Sequence, residues 1–240
     1  MKKTMRVPRS IAVIMDGNGR WAEARGLERV DGHVAGVEAL RAVLRRAAER
    51  GVECITFYAF STENWGRPTE EVQALMELMA KCFIAETPAL LEQGVRIRVI
   101  GDKTRLSEAL QQQIAQSEEA TSECRQITMQ LALNYSSRDE IRRAVTAIAQ
   151  RVKQGEIEPT EISDTMISEA LDTLPEYDPD LVIRTSGEQR LSNFMMWQAS
   201  YSEFYFTETL WPDFGAEAFD RALEAYAGRD RRFGLVNESK

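Results

Sequence analysis

The sequence predicts an α/β fold: a single domain with a mainly parallel, about six-stranded central sheet flanked by helices. Three observations predict it. Short apolar runs of strand length alternate with segments of helical period. Several of these runs end in loops rich in Gly, Asn, Asp and Ser, the residues that terminate strands. The 240 residues, 43% of them hydrophobic, can bury one sizeable core.

In chain order, Ile11 to Met15 is an uninterrupted apolar run stopped by Asp16-Gly17-Asn18-Gly19, a buried strand ending in a tight loop. Val37, Leu40, Val43, Leu44 and Ala47 then fall on one helical face. Cys54 to Phe60 reads as the second strand, and Val72, Leu75, Met76, Met79 and Phe83 form a second helical stripe. Further strand-like runs are Val95 to Ile100, Ile127 to Leu133, Leu181 to Ile183 and Phe204 to Phe206. Lys153 to Tyr177, with Gly155, Pro159, Pro175 and many carboxylates, reads as a surface excursion carrying one short helix from Ser163 to Leu174 rather than a domain boundary. Residues 1–240 therefore read as one domain, with flexible flanks at 1–9 and 235–240, and no fixed-period repeat stands out.

Thirty Lys plus Arg against 38 Asp plus Glu gives a net charge of −8, which argues against a nucleic-acid or anionic-membrane binder that relies on a broad positive field. Any anionic ligand must be met locally. Of the basic residues 24 are Arg and 6 Lys, and the planar guanidinium suits forked recognition of phosphate or carboxylate. Cys54, Cys82 and Cys124 stand far apart and His33 is the single histidine, so the chain holds no structural zinc motif. Scattered thiols suit a reducing compartment. With no signal-peptide stretch and no apolar run of about 18 residues, the expectation is a cytosolic protein whose membrane contact, if it has one, is peripheral.

Three strand ends carry more polar chemistry than a structural loop requires: Asp16 to Trp21, Ser61 to Pro68, and Arg184 to Asn193. Together they bring Arg20, Arg67, Arg184 and Arg190, acceptors for a hard cation, and glycine-flanked backbone amides to one sheet edge, where parallel sheets bind ligands. That combination suits a diphosphate. Each piece alone has a plainer reading. The Asp16 loop is an ordinary Asp/Asn/Gly turn by default, and as a calcium loop it would need Gly at Trp21 and Glu at Leu27, so that reading fails. No GxxxxGK[ST] loop and no GxGxxG follows a strand. A lone histidine is more often packed than catalytic. The Val72 to Phe83 stripe reads as core, and Arg41, Arg45 and Arg46 read as solvated. A phosphotransferase or phosphatase acting on small phosphorylated substrates fits the residues at this level.

Asp16-Gly17-Asn18-Gly19-Arg20-Trp21-Ala22, Arg29 with Gly32-His33 and Gly36, the run from Tyr58 to Pro68, Arg184 to Phe194, and Tyr201 to Pro212 together resemble the cis-prenyltransferase family of the bacterial undecaprenyl diphosphate synthase type, over essentially Ile11 to Gly234. Ser10 and Gln189 stand where some members of that family have His, and Ser136-Ser137 where glycines are common. The resemblance implies a Mg²⁺-dependent transferase that condenses isopentenyl diphosphate onto an allylic diphosphate primer, farnesyl diphosphate being expected. Each new double bond is cis, and the long polyprenyl diphosphate made is a precursor of the lipid carrier for cell-wall synthesis. It implies an apolar product tunnel, walled by the helices from Val37 and Val72 and floored by the strand holding Ile127, Met129, Leu131 and Leu133. It also implies a homodimer in the cytoplasm, with transient peripheral membrane contact for product release, and the aromatic-rich Tyr201 to Trp211 segment suits a dimer interface.

By the same resemblance Asp16 is the catalytic aspartate and a metal ligand, and Glu203 the second metal-linked carboxylate, turned toward the site by strand alternation. Gly17, Asn18, Gly19, Arg20, Arg29 and His33 match the allylic diphosphate site, with Trp21 and Trp65 flanking the chain. Arg184, Arg190, Leu191 and Ser192 match the isopentenyl diphosphate site, with Arg67 nearby and Arg232-Phe233-Gly234 reaching it across a dimer interface. Asn64 matches the residue that accepts or relays the proton, supported by Ser61, Thr62 and Glu63. An amide is a poor base, so Asn64 is better suited to positioning. A catalytically silent partner subunit on the same fold is the competing class, and the presence of Asp16, Asn18, Arg20, Arg184, Arg190 and Glu203 argues against it.

Overall fold

A computed structural model describes residues 5–229. Its sheet has six strands in the order β3-β4-β2-β1-β5-β6, and all five neighbouring pairs are parallel. The strands are β1 (Ser10–Ile14), β2 (Cys54–Ser61), β3 (Val95–Ile100), β4 (Ile127–Tyr135), β5 (Leu181–Arg184) and β6 (Glu203–Phe206). Seven α-helices occur among the described residues: α1 (Asn18–Glu23), α2 (Arg29–Arg50), α3 (Thr69–Glu92), α4 (Glu108–Ala120), α5 (Ser137–Lys153), α6 (Asp164–Glu169) and α7 (Ala216–Ala227). All six expected strands are present; β2 and β4 run on to Ser61 and Tyr135. The Ser163 to Leu174 helix is cut to α6, which starts where the Ser163 hydroxyl accepts from the Met166 N–H at 3.2 Å.

Alternation along β1 sends Ile11 and Val13 into one core and Ala12 and Ile14 into the other. The larger core, on the Ile11 and Val13 side, takes side chains from α2, α3, α4 and α7; the smaller one centres on Tyr135, Val182 and Phe194. Both sheet faces are thus covered, which a parallel sheet requires. α2 begins eight residues before Val37 because Glu28 and Asp31 cap each other's backbone N–H groups there. Two arginines expected to be solvated are cross-links. Arg41 pairs with Glu86 of α3, and Arg46 and Arg50 grip Asp220 of α7, holding its carboxyl down to about 2.

From β1 the chain crosses to β2 on one side, and the later crossover from β4 returns to β5 on the other. The carboxyl ends of β1 and β5 therefore flank a topological switch point, where open α/β sheets bind ligands. A register shift around Ala59 kinks the end of β2 beside it, as bulges next to active sites do.

Candidate active site

A cavity of about 860 Å³ opens at these strand ends and continues between the sheet and helices α2 and α3. Its mouth is polar and its depth apolar. Leu78, Met79 and Cys82 on the inner side of α3 are only half-buried, because the helix lies across a chamber instead of closing onto the sheet. The chamber is completed by Leu40 and Leu44 of α2, Ile97 of β3, and Met129, Leu131 and Leu133 of β4. Ile127, Val72 and Met76 do not line it. Ile127 is sealed in the core beneath the floor, and Val72 and Met76 pack against the core.

At the mouth, register pairs Ile14 with Arg184, so Asp16 and Arg184 leave adjacent strand ends together. Thr185 fixes the loop: its hydroxyl accepts from the Asp16 N–H at 2.9 Å and donates to the Asp16 carbonyl at 2.6 Å. The Arg184 guanidinium, 4% exposed, must be paired to be buried. One Nη donates to Asp16 Oδ2 at 2.8 Å, and the other to Ser192 Oγ at 2.8 Å and to the Arg190 carbonyl. Its Nε is buried without a partner. Arg184 therefore touches both diphosphate motifs read in the sequence.

Gly17 opens α1 at φ 109°, and a Cβ there would lie 2.9 Å from Leu210 Cδ2, so the loop requires glycine. A Cβ on Gly19 would lie 2.7 Å from the Arg29 guanidinium. Asn18 donates to the Met15 carbonyl at 3.3 Å, and its Oδ1 is buried without a partner. Arg20 donates to Ser186 Oγ at 2.6 Å and lies 3.8 Å from Asp16. His33 and Arg29 share a face of α2 four residues apart. Burial, followed by the charge of Arg67, pushes the imidazole down to about 4, so it is neutral at pH 7, and its Nε2 is buried without a hydrogen-bond partner. Asn18 and His33 both border the cavity, each with one buried polar atom left without a hydrogen-bond partner, and a Cβ on Gly36 would lie 2.5 Å from Asn18 Oδ1.

Ser61, Glu63, Asn64 and Arg67 line the same cavity, with Asn64 Oδ1 accepting from the Ser61 N–H at 3.0 Å. That bond is half of a reciprocal cap in which the Ser61 side chain accepts from the Asn64 backbone N–H, and it fixes the Asn64 side chain. Arg190 and Ser192 complete the set on the β5 side.

Five expected residues lie elsewhere. Trp21 donates to Asp213 at 2.7 Å under the Arg25 guanidinium, facing away from the chamber. Trp65 is anchored to Asn134 Oδ1 at 2.7 Å and lies edge-on to Phe60. Thr62 is bonded to its neighbour Glu63 outside the lining, and Leu191 packs on the smaller core. Glu203, expected as the second metal-linked carboxylate, stands far from Asp16 within this chain. It opens β6 in register with Leu181 and hence Ile11, at the amino end of the sheet, roughly 15 Å along the strand direction from Asp16. There it pairs with Arg229 at 2.8 Å. Strand alternation gives the face of a residue, not the end of the strand it occupies, so this chain does not bring Glu203 and Asp16 to one metal. Gln189 is exposed and outside the lining, and Arg232-Phe233-Gly234 lies outside the described residues.

Sequence reading missed Glu71, whose carboxylate stands 3.0 Å from Arg67, 3.5 Å from Arg29 and 4.0 Å from His33. Its spacing of four from Arg67 at the start of α3 was the available signal. It also missed Arg138 and Asn193 on the cavity wall.

For a cation, Asp16 offers one hard oxygen donor group, and among the described residues no cluster of three His, Cys, Asp or Glu side chains could hold an ion. A single carboxylate beside a phosphate-binding mouth fits Mg²⁺, which keeps several waters and is commonly bound by one or two carboxylates together with substrate phosphates.

A family model described as "Putative undecaprenyl diphosphate synthase" matches residues 14–234. The chain is 49% identical over 232 residues to an isoprenyl transferase of Porphyromonas gingivalis, covering 97% of this chain and 91% of that one. It is 46% identical over 228 residues to a ditrans,polycis-undecaprenyl-diphosphate synthase of Haemophilus ducreyi named as specific for (2E,6E)-farnesyl diphosphate, covering 95% and 94%. Among solved structures, lavandulyl diphosphate synthase of Lavandula x intermedia in complex with dimethylallyl diphosphate superposes with a TM-score of 0.93 at 36% identity, covering 95% and 98% of the two chains. A probable undecaprenyl diphosphate synthase of Campylobacter jejuni gives 0.80 at 34% identity, covering 96% and 100%.

Proposed function

The chain belongs to the undecaprenyl diphosphate synthase family, and from that premise we propose how its residues divide the work of cis-prenyl elongation. The reaction joins isopentenyl diphosphate to an allylic diphosphate. A carbon–carbon bond forms, the allylic carbon–oxygen bond breaks with release of diphosphate, and a proton leaves the isopentenyl unit as the new cis double bond forms. The observation that carries the assignment is Arg184, whose guanidinium joins Asp16 on one loop to Ser192 and Arg190 on another at the mouth of an apolar chamber.

Gly17, Asn18, Gly19, Arg20, Arg29 and His33 hold the allylic diphosphate, with farnesyl diphosphate as primer and its chain running into the chamber. The Arg20 and Arg29 guanidiniums on the cavity lining support this. Arg184, Arg190 and Ser192 hold the second diphosphate, leaving its carbon chain between the two sites, while Arg67 shares Glu71 with Arg29 beside His33. Asp16 is the residue that would hold Mg²⁺, whose charge, when bound, helps the leaving diphosphate depart. Asn64 and Ser61 orient the isopentenyl chain for loss of its proton. Leu78, Met79, Met129 and Leu131 take up the growing chain, and flexible methionines adapt to it with little strain.

We assign the active form as a homodimer through β6. This is one of the two edge strands of the sheet, with Phe206 exposed at its end and Tyr201 exposed just before it; Trp211, also read as interfacial, is in the core. No helix among the described residues is long and apolar enough to cross a membrane. The exposed Val30 and Val34 near the mouth support a peripheral contact with the inner face of the membrane, made from the cytoplasm, for product release. Incubation with Mg²⁺, farnesyl diphosphate and labelled isopentenyl diphosphate tests the reading: elongation that stops with EDTA and resumes with added Mg²⁺ is expected. Binding without turnover, or release of inorganic phosphate alone, would overturn it.

A further inference from the structure

The geometry points to Asn193 as a positioning residue that sets the isopentenyl diphosphate loop against the Glu63-Asn64 segment, an inference that rests on the prenyl-transfer reading above. Asn193 sits at φ 61°, directly after Ser192 at 49°, in left-handed backbone that non-glycine residues seldom adopt. Asparagine is among the side chains that tolerate it best. Three of its polar atoms are engaged, two in capping a helix and one in bridging to another loop.

The Asn193 carbonyl accepts from the Ser137 N–H at 2.8 Å, and its side-chain Oδ1 accepts from the Arg138 N–H at 2.9 Å. Those are two of the orphan donors at the start of α5, whose own N-cap, Ser136, makes no side-chain bond. The helix is capped from another part of the chain. The remaining group, Nδ2, donates across the cavity rim to Glu63 Oε1 at 2.8 Å. Glu63 precedes Asn64, and the preceding residue in the loop, Ser192, holds Arg184 at 2.8 Å. One amide therefore ties the group that orients the isopentenyl chain to the group that grips its diphosphate, and references both to α5. Tyr58 reinforces the arrangement: its hydroxyl donates to the Tyr135 carbonyl at 3.2 Å, and its ring stacks on Phe194 at 4.3 Å.

Capping and bridging use opposite ends of the amide, so they can be separated. Asn193→Asp keeps an acceptor for the Arg138 N–H and tolerates the backbone, but turns a carboxylate oxygen toward Glu63 in place of the donor. Glu63→Gln in the same chain supplies an N–H to that oxygen and rebuilds the bridge with donor and acceptor exchanged. In N193D the KM for isopentenyl diphosphate should rise about tenfold, while the KM for farnesyl diphosphate stays within about twofold. Its melting midpoint should stay within about 3 °C of the parent. The N193D/E63Q double variant should recover to within about threefold of the parent KM for isopentenyl diphosphate. An unchanged KM for that substrate, an equal rise for both substrates, a collapse of melting in N193D, or a double variant no better than N193D would each overturn the inference. The parent protein is the control: failure to elongate there would strike the prenyl-transfer reading, whereas a null result in active variants strikes the Asn193 inference alone.

Discussion

Leu131 and Ile127 point to the same face of β4, yet only Leu131 borders the chamber, so truncating each should have opposite consequences. Leu131→Ala removes three carbons from a half-buried side chain that already faces open space. At about 0.8 kcal/mol per fully buried methylene, halved for the partial exposure, the cost is about 1 kcal/mol, and the volume freed joins the chamber. Products should then lengthen by about one or more five-carbon units, because the wall that meets the growing end has receded. Ile127→Ala instead leaves a closed void beneath the floor, at a residue 2% exposed, and should cost about 2 to 5 kcal/mol. Its product lengths should not change. The assay is chromatography of dephosphorylated products alongside thermal melts, with shifts of about 2 to 4 °C per kcal/mol expected for a chain of this size. Unchanged lengths for L131A, or longer products from I127A, would refute the placement of the chamber floor.

Three further outcomes follow. Sedimentation at micromolar concentration should give twice the single-chain 27.2 kDa, and charged substitution of Phe206 should shift it toward one chain. Burial holds His33 down to about 4 from the usual 6.5, so the unfolded chain takes up the proton first as pH falls. That stability is fully present above about 6.5 and is lost as pH falls toward 4, a difference of at most roughly 3 kcal/mol, and His33→Gln should flatten this part of the melting profile. Replacing Arg184 by Lys should raise the KM for isopentenyl diphosphate and lower kcat together, since an ammonium cannot reach Asp16, Ser192 and the Arg190 carbonyl at once; unchanged kinetics would contradict its bridging role.

The strands were legible because buried parallel strands are short apolar runs, as at Ile11 to Met15, and the loop chemistry after them placed most of the mouth. What sequence could not supply was direction and cooperation. Trp21 and Trp65 follow the right strands, but their indole N–H groups are drawn to Asp213 and Asn134, away from the chamber. α2 was read eight residues short because its first turns expose Val30 and Val34, which hides the apolar period. Glu203 was placed by a motif whose strand runs parallel to β5, so its first residue lies at the far end of the sheet. Glu71 and Asn193 act on groups distant in the chain, and only the fold brings them together.

The central claim is that the Asp16 and Arg184 pair at the head of the chamber carries prenyl transfer. It is tested most directly by Asp16→Ala, a change in a half-exposed polar loop that removes a carboxylate and no core volume. With Mg²⁺, farnesyl diphosphate and isopentenyl diphosphate, kcat should fall on the order of 10³-fold, with a lowered melting midpoint because the buried Arg184 guanidinium loses its carboxylate partner; more than a tenth of the parent activity in the folded variant would contradict the account.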